Sequence, residues 1–590
     1  MGAKEKKGRN ESVTIMLVNI DTIKIKDDIP RIKPPSTYKK RILFVGEASF
    51  LNTGFSVYYL NLIRYLYNTG KYEIAEFGSY APTQDPRWMK QECWWKYYGN
   101  MPDLIGFDKN TNKYIEDPSQ KQVYYGPNYK TNQFGEWKFS HVLMDFKPDI
   151  VIDIRDEWMF EFQGRSPLRK NFIHIVMPTV DGDPQKEEWM ETFSKIDYML
   201  TYTKYGKRVL EAQSGRSIKI LEIAQPGYEK DILKPFQDRA KNRLHWNLNP
   251  ELKIVGTTMR NQARKLFANF FHAIAKFKQL HPELNKKVKF LMHTSYPDVG
   301  WDLPRFIKRY RLIHSILFTY VCWSCNKSFI SYWIGEVAKC WMCGKKEARL
   351  PNTSIGVDRK TLGEIYNLMD VYVQYSICEG FGMPILEAKA CGIPVLVTNN
   401  TAMMEQVGEG QGGWPIKVGC TYAEQDTWCS RGIPDEDDFI DKLYKMLFLS
   451  DKDKNKLRKE AIDSVKDFTW ENTSKKWEAI LDAVPIKDRT KTWDSPPNFL
   501  SVKYRTLSGM KDFDKLSNED FIKQLYLDIL DRESDEKGFK DWLQAIERGM
   551  NRQQLLDHFV SIADQQNLIE QQRTGVSFEP SSESLQVIQL

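Results

Sequence analysis

The sequence predicts an α/β protein of two doubly wound domains in tandem, with a cysteine-rich insertion in the second and a small all-α unit at the C-terminus. Three observations predict it. Apolar strand-like runs alternate with amphipathic helical stretches once before about residue 240 and again from about residue 250; such alternation gives a parallel sheet with helices on both faces. Two C-x2-C pairs interrupt the second series, and beyond residue 515 only helical spacing remains.

The chain has 590 residues, enough for several domains at roughly 100–200 residues each. With 41% hydrophobic and 28% charged residues it is globular rather than disordered. The net charge of +7 is mild for this length and argues against a nucleic-acid packaging protein, while leaving room for a local basic surface. No run reaches the roughly 20 apolar residues of a membrane helix, and MGAKEKKGRNESVT lacks the apolar stretch of a secretory signal. Nine cysteines, four of them in tight pairs, suit a reducing compartment and a bound metal better than a disulfide framework. The expected location is the cytoplasm of a bacterial or phage-infected host cell.

Residues 1–41 hold eleven Lys or Arg against five Asp or Glu and read as a basic arm, with VTIMLVNIDTIKI strand-like in composition and PRIKPPS breaking the chain. The first domain is expected over 42–240. KRILFVGEAS is a buried strand running into a glycine-containing loop, SVYYLNLIRYLYNTG the helix behind it, and YEIAEFG, DIVIDI, FIHIVMP and YMLTYT further strands. The second domain spans 250–483, from the strand LKIVGTTM to the closing helices DEDDFIDKLYKMLFL and ENTSKKWEAILDAV. Two such domains place a ligand in the cleft between them, at the carboxyl ends of their strands. Residues 484–515 read as a linker, 516–568 as a helical unit and 569–590 as a flexible tail.

The central constellation is SICEGFGMPILEAKACGIPVL, with Glu379 and Glu387 eight positions apart. Gly380 and Gly382 let the backbone approach a ligand closely, and Phe381 and Met383 line the same turn. Pro384 suits the first turn of a helix, whose free N–H groups can meet a diphosphate. Glu387, about one turn in, could bridge a ribose diol, and Glu379 lies on the loop in front. Cys378 and Cys391 read as packing residues.

This segment resembles the E-x7-E signature of the retaining family 4 glycosyltransferases, which have the two-Rossmann-domain GT-B fold. The resemblance covers about residues 40–482. It implies a nucleotide-sugar donor, UDP-linked most commonly, and transfer with retention at the anomeric carbon. VGTTMRNQARKLF resembles a subgroup pattern in which an Arg and a Lys hold the donor diphosphate; Arg260 and Lys265 fill those places, with Arg264 as the substitute. GEASFLNTGFS resembles the family's glycine-rich loop through Asn52, Thr53, Gly54 and Phe55. MPTVDGDP resembles the segment where a polar residue, often His, approaches the reacting sugar; Asp181 or Asp183 stands there instead, with His174 earlier in the strand. The catalytic set implied is therefore Glu379, Asp181, Arg260 and Lys265. Asp153, Arg155 and Asp156 also end a strand expected to face the cleft.

Cys322, Cys325, Cys340 and Cys343 form C-x2-C-x14-C-x2-C, the spacing of a structural tetrahedral zinc ribbon, expected as an insertion over 320–350. Residues 301–349 carry nine basic and three acidic side chains interleaved with Trp323, Tyr332, Trp333 and Trp341. That surface could contact a nucleic acid, or the aromatics could simply make the core of a small unit. The C-terminal pattern through Phe521, Leu525, Tyr526, Arg532, Asp535, Gly538 and Trp542 resembles an uncharacterised helical domain of bacterial and phage proteins, and could dock a protein partner. The acceptor expected from the resemblance is a glycan or glycoconjugate precursor. Hydroxymethylated DNA, suggested by the ribbon and the basic arm, is the alternative, and an inactive nucleotide-sugar or nucleic-acid binding module is the reading from another class.

Overall fold

The computed structural model describes residues 29–88, 95–111, 113–353, 355–493, 516–530 and 533–550, with the single positions 552, 555 and 559. The strand-like stretch within the basic arm, the tail 569–590 and Arg532 lie outside the described residues.

The first domain is a parallel sheet in the order Ile220–Ile223, Tyr198–Thr201, Ile173–Val176, Ile150–Asp153, Arg41–Glu47, Glu73–Ser79, Lys96–Gly99. Leu43, Phe44 and Val45 are fully buried, which explains why this strand reads as one unbroken apolar run: helices cover both of its faces. One of them, Gly54–Asn68, starts where the Thr53 hydroxyl accepts from the Ser56 amide at 3.2 Å, and buries the stripe Tyr58, Tyr59, Leu62, Ile63 and Leu66.

The second domain's sheet runs Ser328–Ser331, Ile316–Cys322, Val288–His293, Lys253–Thr258, Val371–Gln374, Val395–Thr398, Gly413–Ile416. All pairs are parallel except Ser328–Ser331, which returns antiparallel on Ile316–Cys322. In each sheet the strand order reverses once, beside Arg41–Glu47 in the first and beside Lys253–Thr258 in the second. Crevices open at such reversals, outside the carboxyl ends of the strands.

The structure differs from the sequence reading in three places. The helix Trp470–Ala483, expected to close the second domain, packs on the first: Trp477 is fully buried and its Nε1 donates to the Tyr58 hydroxyl at 2.9 Å, while Tyr65 and Tyr72 donate to Glu478 and Asp482 at 2.9 and 2.6 Å. Burying an apolar side chain of this size is worth about 2–3 kcal/mol, which favours docking here. Second, the arm and the linker meet. Arg31–Ile32 pairs antiparallel with Ile486–Lys487, and the Lys40 ammonium donates to the carbonyls of Leu481 and Val484 at the end of that helix. Third, the cysteine-rich insertion is not detached from the sheet: it leaves the end of strand Ile316–Cys322, which runs parallel to Val288–His293, and Ala348–Arg349 pairs back onto that same end.

In the C-terminal unit, helix Asn518–Leu530 gives Phe521, Ile522, Leu525 and Tyr526 to a small core with Leu555 and Phe559, and Phe539, Trp542, Leu543 and Ile546 of helix Glu536–Glu547 pack against it. The sequence pattern there serves packing and capping. Asp535 accepts from the Gly538 amide at 2.7 Å, and a Cβ at Gly538 would stand 2.3 Å from the Tyr526 hydroxyl, so only glycine lets the tyrosine approach. Among the described residues no helix is long and apolar enough to cross a membrane.

Candidate functional site

Glu379 lies on the loop that follows strand Val371–Gln374, at the reversal point of the second sheet, and is buried. Arg264 donates to its Oε2 at 2.7 Å; Lys265 donates to Oε1, joined there by Gln374 Nε2 at 2.6 Å and Ser376 Oγ at 2.9 Å. Burial alone would raise its pKa, but the charges of Arg264 and Lys265 outweigh burial and hold the carboxyl at about 2. Burial, then Arg264, pushes Lys265 down to about 8 against the pull of Glu379. The cluster has two cations and one carboxylate, an excess positive charge placed to receive an anion. Directly beyond it, Gly382 caps the helix Met383–Ala390 in a left-handed conformation, with Pro384 in the first turn. Gln406 Nε2 fixes this turn by donating to the Phe381 carbonyl at 2.5 Å.

Arg260 does not join this cluster. Its guanidinium is half-exposed and grips Asp298 with two bonds, at 2.8 and 2.9 Å. Arg264, the substitute in the sequence reading, is the one brought to Glu379. Glu387 is buried and both its oxygens already have partners, Arg359 Nη2 and the Tyr366 hydroxyl, each at 2.7 Å; Arg359 also pairs with Glu229 at 2.7 Å. Each Glu387 oxygen keeps a further acceptor site for a hydroxyl.

The first domain closes against this wall. A Cβ on Gly380 would lie 2.4 Å from Thr179 Cγ2, so glycine is what lets the two domains meet here. Gly54 faces Met383, with 3.6 Å between the position of a Cβ and the sulfur. Thr53, besides capping its helix, donates to Glu47. Asp181 accepts from the Cys378 thiol at 3.4 Å and pairs with the buried Arg431 at 3.0 Å, which also holds Glu424 at 2.7 Å. Arg431 comes from the hairpin Val418–Ala423/Ser430–Pro434 of the second domain, so Asp181 is bound across the interface. Asp183 lies further out, 3.3 Å from Arg208. Asp156 is half-buried; desolvation, with the neighbouring Asp181 and Glu47 charges, raises its pKa to about 7 even though Arg264 pulls the other way.

Three first-domain candidates belong to the interior instead. Asp153 and His174 are fully buried 2.8 Å apart, and Arg155 and Gln163 donate to the same carboxylate at 2.7 and 2.9 Å. Burial keeps His174 below its ordinary pKa, hence neutral in this network. An alternating strand sends neighbours to opposite faces, which is why Asp153 is internal while Asp156, past the strand end, reaches the cleft. Sequence reasoning missed Arg431, Arg359 and Glu229; none sits in a local pattern, because each acts on a residue far along the chain.

The four thiols of Cys322, Cys325, Cys340 and Cys343 all lie within 4.8 Å of one another, with Sγ–Sγ distances of 3.6 Å between Cys322 and Cys343 and 3.8 Å between Cys325 and Cys340. A tetrahedron of sulfurs about 2.3 Å from a zinc ion has edges of about 3.8 Å, so the donor set fits the metal. Trp323 and Trp341 are exposed beside it, Trp341 stacked on Phe329 at 4.6 Å and Trp323 under the Arg349 guanidinium at 4.7 Å.

Residues 353–425, around Glu379 and Glu387, match the family "Glycosyl transferases group 1", and residues 509–569 match a domain of unknown function, DUF4214. A D-inositol 3-phosphate glycosyltransferase of Stackebrandtia nassauensis is 22% identical over 284 residues, 48% of this chain and 53% of the relative. An O-antigen chain mannosyltransferase B of Escherichia coli is 43% identical over 53 residues, 9% of this chain and 14% of its own. The chain thus spans about half or less of the curated relatives it matches. Sucrose-phosphate synthase of Thermosynechococcus elongatus shares the fold with a TM-score of 0.52 at 16% identity, over 75% of this chain and 98% of its own. Anabaena HepE, solved with UDP and glucose, does so with a TM-score of 0.50 at 12% identity, over 75% and 100%. The fold is GT-B-like, and the group 1 match supports a glycosyltransferase.

Proposed function

We propose that this protein is a retaining glycosyltransferase that moves a sugar from a nucleoside-diphosphate sugar, UDP favoured, to a hydroxyl of a glycan or glycoconjugate precursor. The observation that carries the reading is the buried Glu379 cluster with its excess cation, set against the N-terminal amides of Met383–Ala390. The bond that breaks joins the anomeric carbon to the diphosphate oxygen. Arg264, Lys265 and the helix amides neutralise the negative charge arriving there, without reorganising as it arrives. Glu379, kept ionised, supports the positive charge that develops on the sugar and orients it. The acceptor hydroxyl attacks from the leaving-group side and its proton passes to the departing phosphate oxygen, which preserves the anomeric configuration. Glu387 takes the ribose through its remaining acceptor sites, Arg260 stands at the outer rim, and Asp156 and Asp181 meet the acceptor from the first domain.

Cys322, Cys325, Cys340 and Cys343 would hold a zinc ion with no open position. Its part is to fix the edge of the second sheet. DNA is not the acceptor favoured: the first-domain side chains at the cleft, Glu47, Asp156 and Asp181, are acids and offer a phosphate backbone no cation. The intact charge set also argues against an inactive binding module.

The test is incubation of the protein with UDP-, GDP- and ADP-sugars and a glycan acceptor mixture, followed by mass spectrometry and NMR of the product. A sugar-sized mass gain with the donor's anomeric configuration is expected. Inversion would overturn the retaining assignment, and failure to bind or cleave any of the three donor classes would overturn the whole reading.

A further inference from the structure

We infer that the first domain carries an extended platform for an uncharged oligosaccharide chain, built of an uncovered aromatic hairpin and the stacked tyrosines behind it, and leading to the cleft. The inference rests on the transferase reading and specifies its acceptor.

The platform begins with the antiparallel hairpin Leu104–Asp108/Lys113–Glu116. Phe107 stands directly opposite Tyr114, their rings 5.0 Å apart, and Ile115 lies over Gly106 on the other face. Ile105, Phe107, Tyr114 and Ile115 are exposed by 60, 46, 53 and 43%, and none belongs to a hydrophobic core cluster of the described residues. An isolated two-stranded hairpin is marginal in water, and one that shows large apolar side chains on both faces is a surface that gains from being covered. Lys121 ties the hairpin to the next helix, Pro118–Tyr124, through Glu116 at 3.0 Å. Behind it Tyr125 and Tyr129 stack 5.6 Å apart, with Tyr124 set edge-on to both, and the stacked pair is exposed.

Tyr80 connects this surface to the cleft. It follows strand Glu73–Ser79 at its carboxyl end and holds a left-handed φ of 64°, a conformation a bulky side chain rarely adopts. Its hydroxyl feels the charges of Glu47 and Asp156 in the cleft and also lies within electrostatic reach of Tyr129. Its ring meets Phe134 edge-on at 6.4 Å, on the side of the sheet from which segment 104–130 departs.

The chemistry selects the occupant. Segment 104–130 has four lysines against three acids, too near neutral to hold a polyanion or an anionic membrane. The same segment carries the short polar side chains of Asn110, Thr111, Gln122 and Asn128 between its aromatics. A sugar ring offers an apolar C–H face and a rim of hydroxyls; aromatic faces take the first, short polar side chains the second.

The full-length protein is applied to a printed array of neutral and acidic oligosaccharides, to phosphatidylglycerol vesicles and to duplex DNA. The double variants Phe107→Ser/Tyr114→Ser and Tyr125→Ala/Tyr129→Ala are run beside it, with UDP affinity and circular dichroism as controls. Binding of neutral oligosaccharides is expected, with a loss of about tenfold in either double variant, as two lost ring contacts imply. UDP affinity should stay unchanged. No glycan bound by the parent protein, glycan binding unaffected in both variants, or vesicle or DNA binding as the property the variants lose would each overturn the platform. Failure of donor binding with glycan binding intact would overturn the transferase reading alone.

Discussion

On the second domain's wall of the cleft, Glu379 sits beneath Arg264 and Lys265, ionised to about pH 2. Across from it on the first domain's wall, Asp156 keeps its proton up to about pH 7, because desolvation and the neighbouring carboxylates outweigh the Thr179 hydroxyl and Arg264. The same type of group meets opposite surroundings a short way apart. In the proposed reaction the cation-rich wall would take the departing diphosphate and the acid-lined wall the acceptor hydroxyl. A cleft that must tell a donor from an acceptor can do so by charge before any shape is compared.

Breaking the second wall should have the largest effect. Glu379→Gln keeps the side chain's shape but leaves two cations unopposed, and transfer should fall about 10²–10³-fold in kcat/KM with the fold retained. A loss below tenfold would remove Glu379 from the reaction. The change also bears on stability. The folded carboxyl has the lower pKa, so its contribution is present above the unfolded value near 4.5 and fades as pH drops toward 2; the variant should lose that acid sensitivity in thermal melts.

Forcing the walls apart comes next. Gly380→Ala puts a methyl 2.4 Å from Thr179 Cγ2 and should cut kcat/KM about tenfold. Adding Thr179→Ala removes that methyl, leaving the nearest Thr179 side-chain atom at an ordinary 3.5 Å, and should restore most of the rate. Failure of the rescue would mean that Gly380 matters for a reason other than domain contact.

The first wall gives the smallest and most pH-dependent effect. If ionised Asp156 accepts from the acceptor hydroxyl, transfer rises with pH through about 7, and Asp156→Asn flattens that limb with only a few-fold loss below it. The stability sign is opposite to that of Glu379. The folded form binds a proton between about pH 4 and 7 that the unfolded chain does not, so stability falls as pH rises through that window, and the Asn variant should lose this fall. A pH–rate profile identical in the variant would take Asp156 out of the acceptor site.

Much of this was legible because it is local. The alternating apolar runs marked both parallel sheets, and the turn Gly380–Pro384 marked a helix start. The C-x2-C pairs marked a cluster that the structure brings to within tetrahedral reach. What escaped is through-space. Trp477 binds the Tyr58 hydroxyl across the molecule and draws the last helix onto the other domain, which no periodicity announces. Asp153 and Asp156 are three residues apart, yet one lies in a closed His174–Arg155 network and the other in the cleft; the bend past the strand end separates them.

The sequence by itself determined the repeating α/β pattern, the helix N-terminus at Gly382 and the four-sulfur set. Each of these depends on spacings of a few residues, where backbone geometry turns sequence separation directly into distance. Only the tertiary structure decided that Arg264 rather than Arg260 meets Glu379, that Asp181 is bound by Arg431, and that Glu387 shares Arg359 with Glu229. Electrostatic partners are chosen by distance and desolvation in the folded molecule, and residues on different elements acquire both only when the sheets assemble.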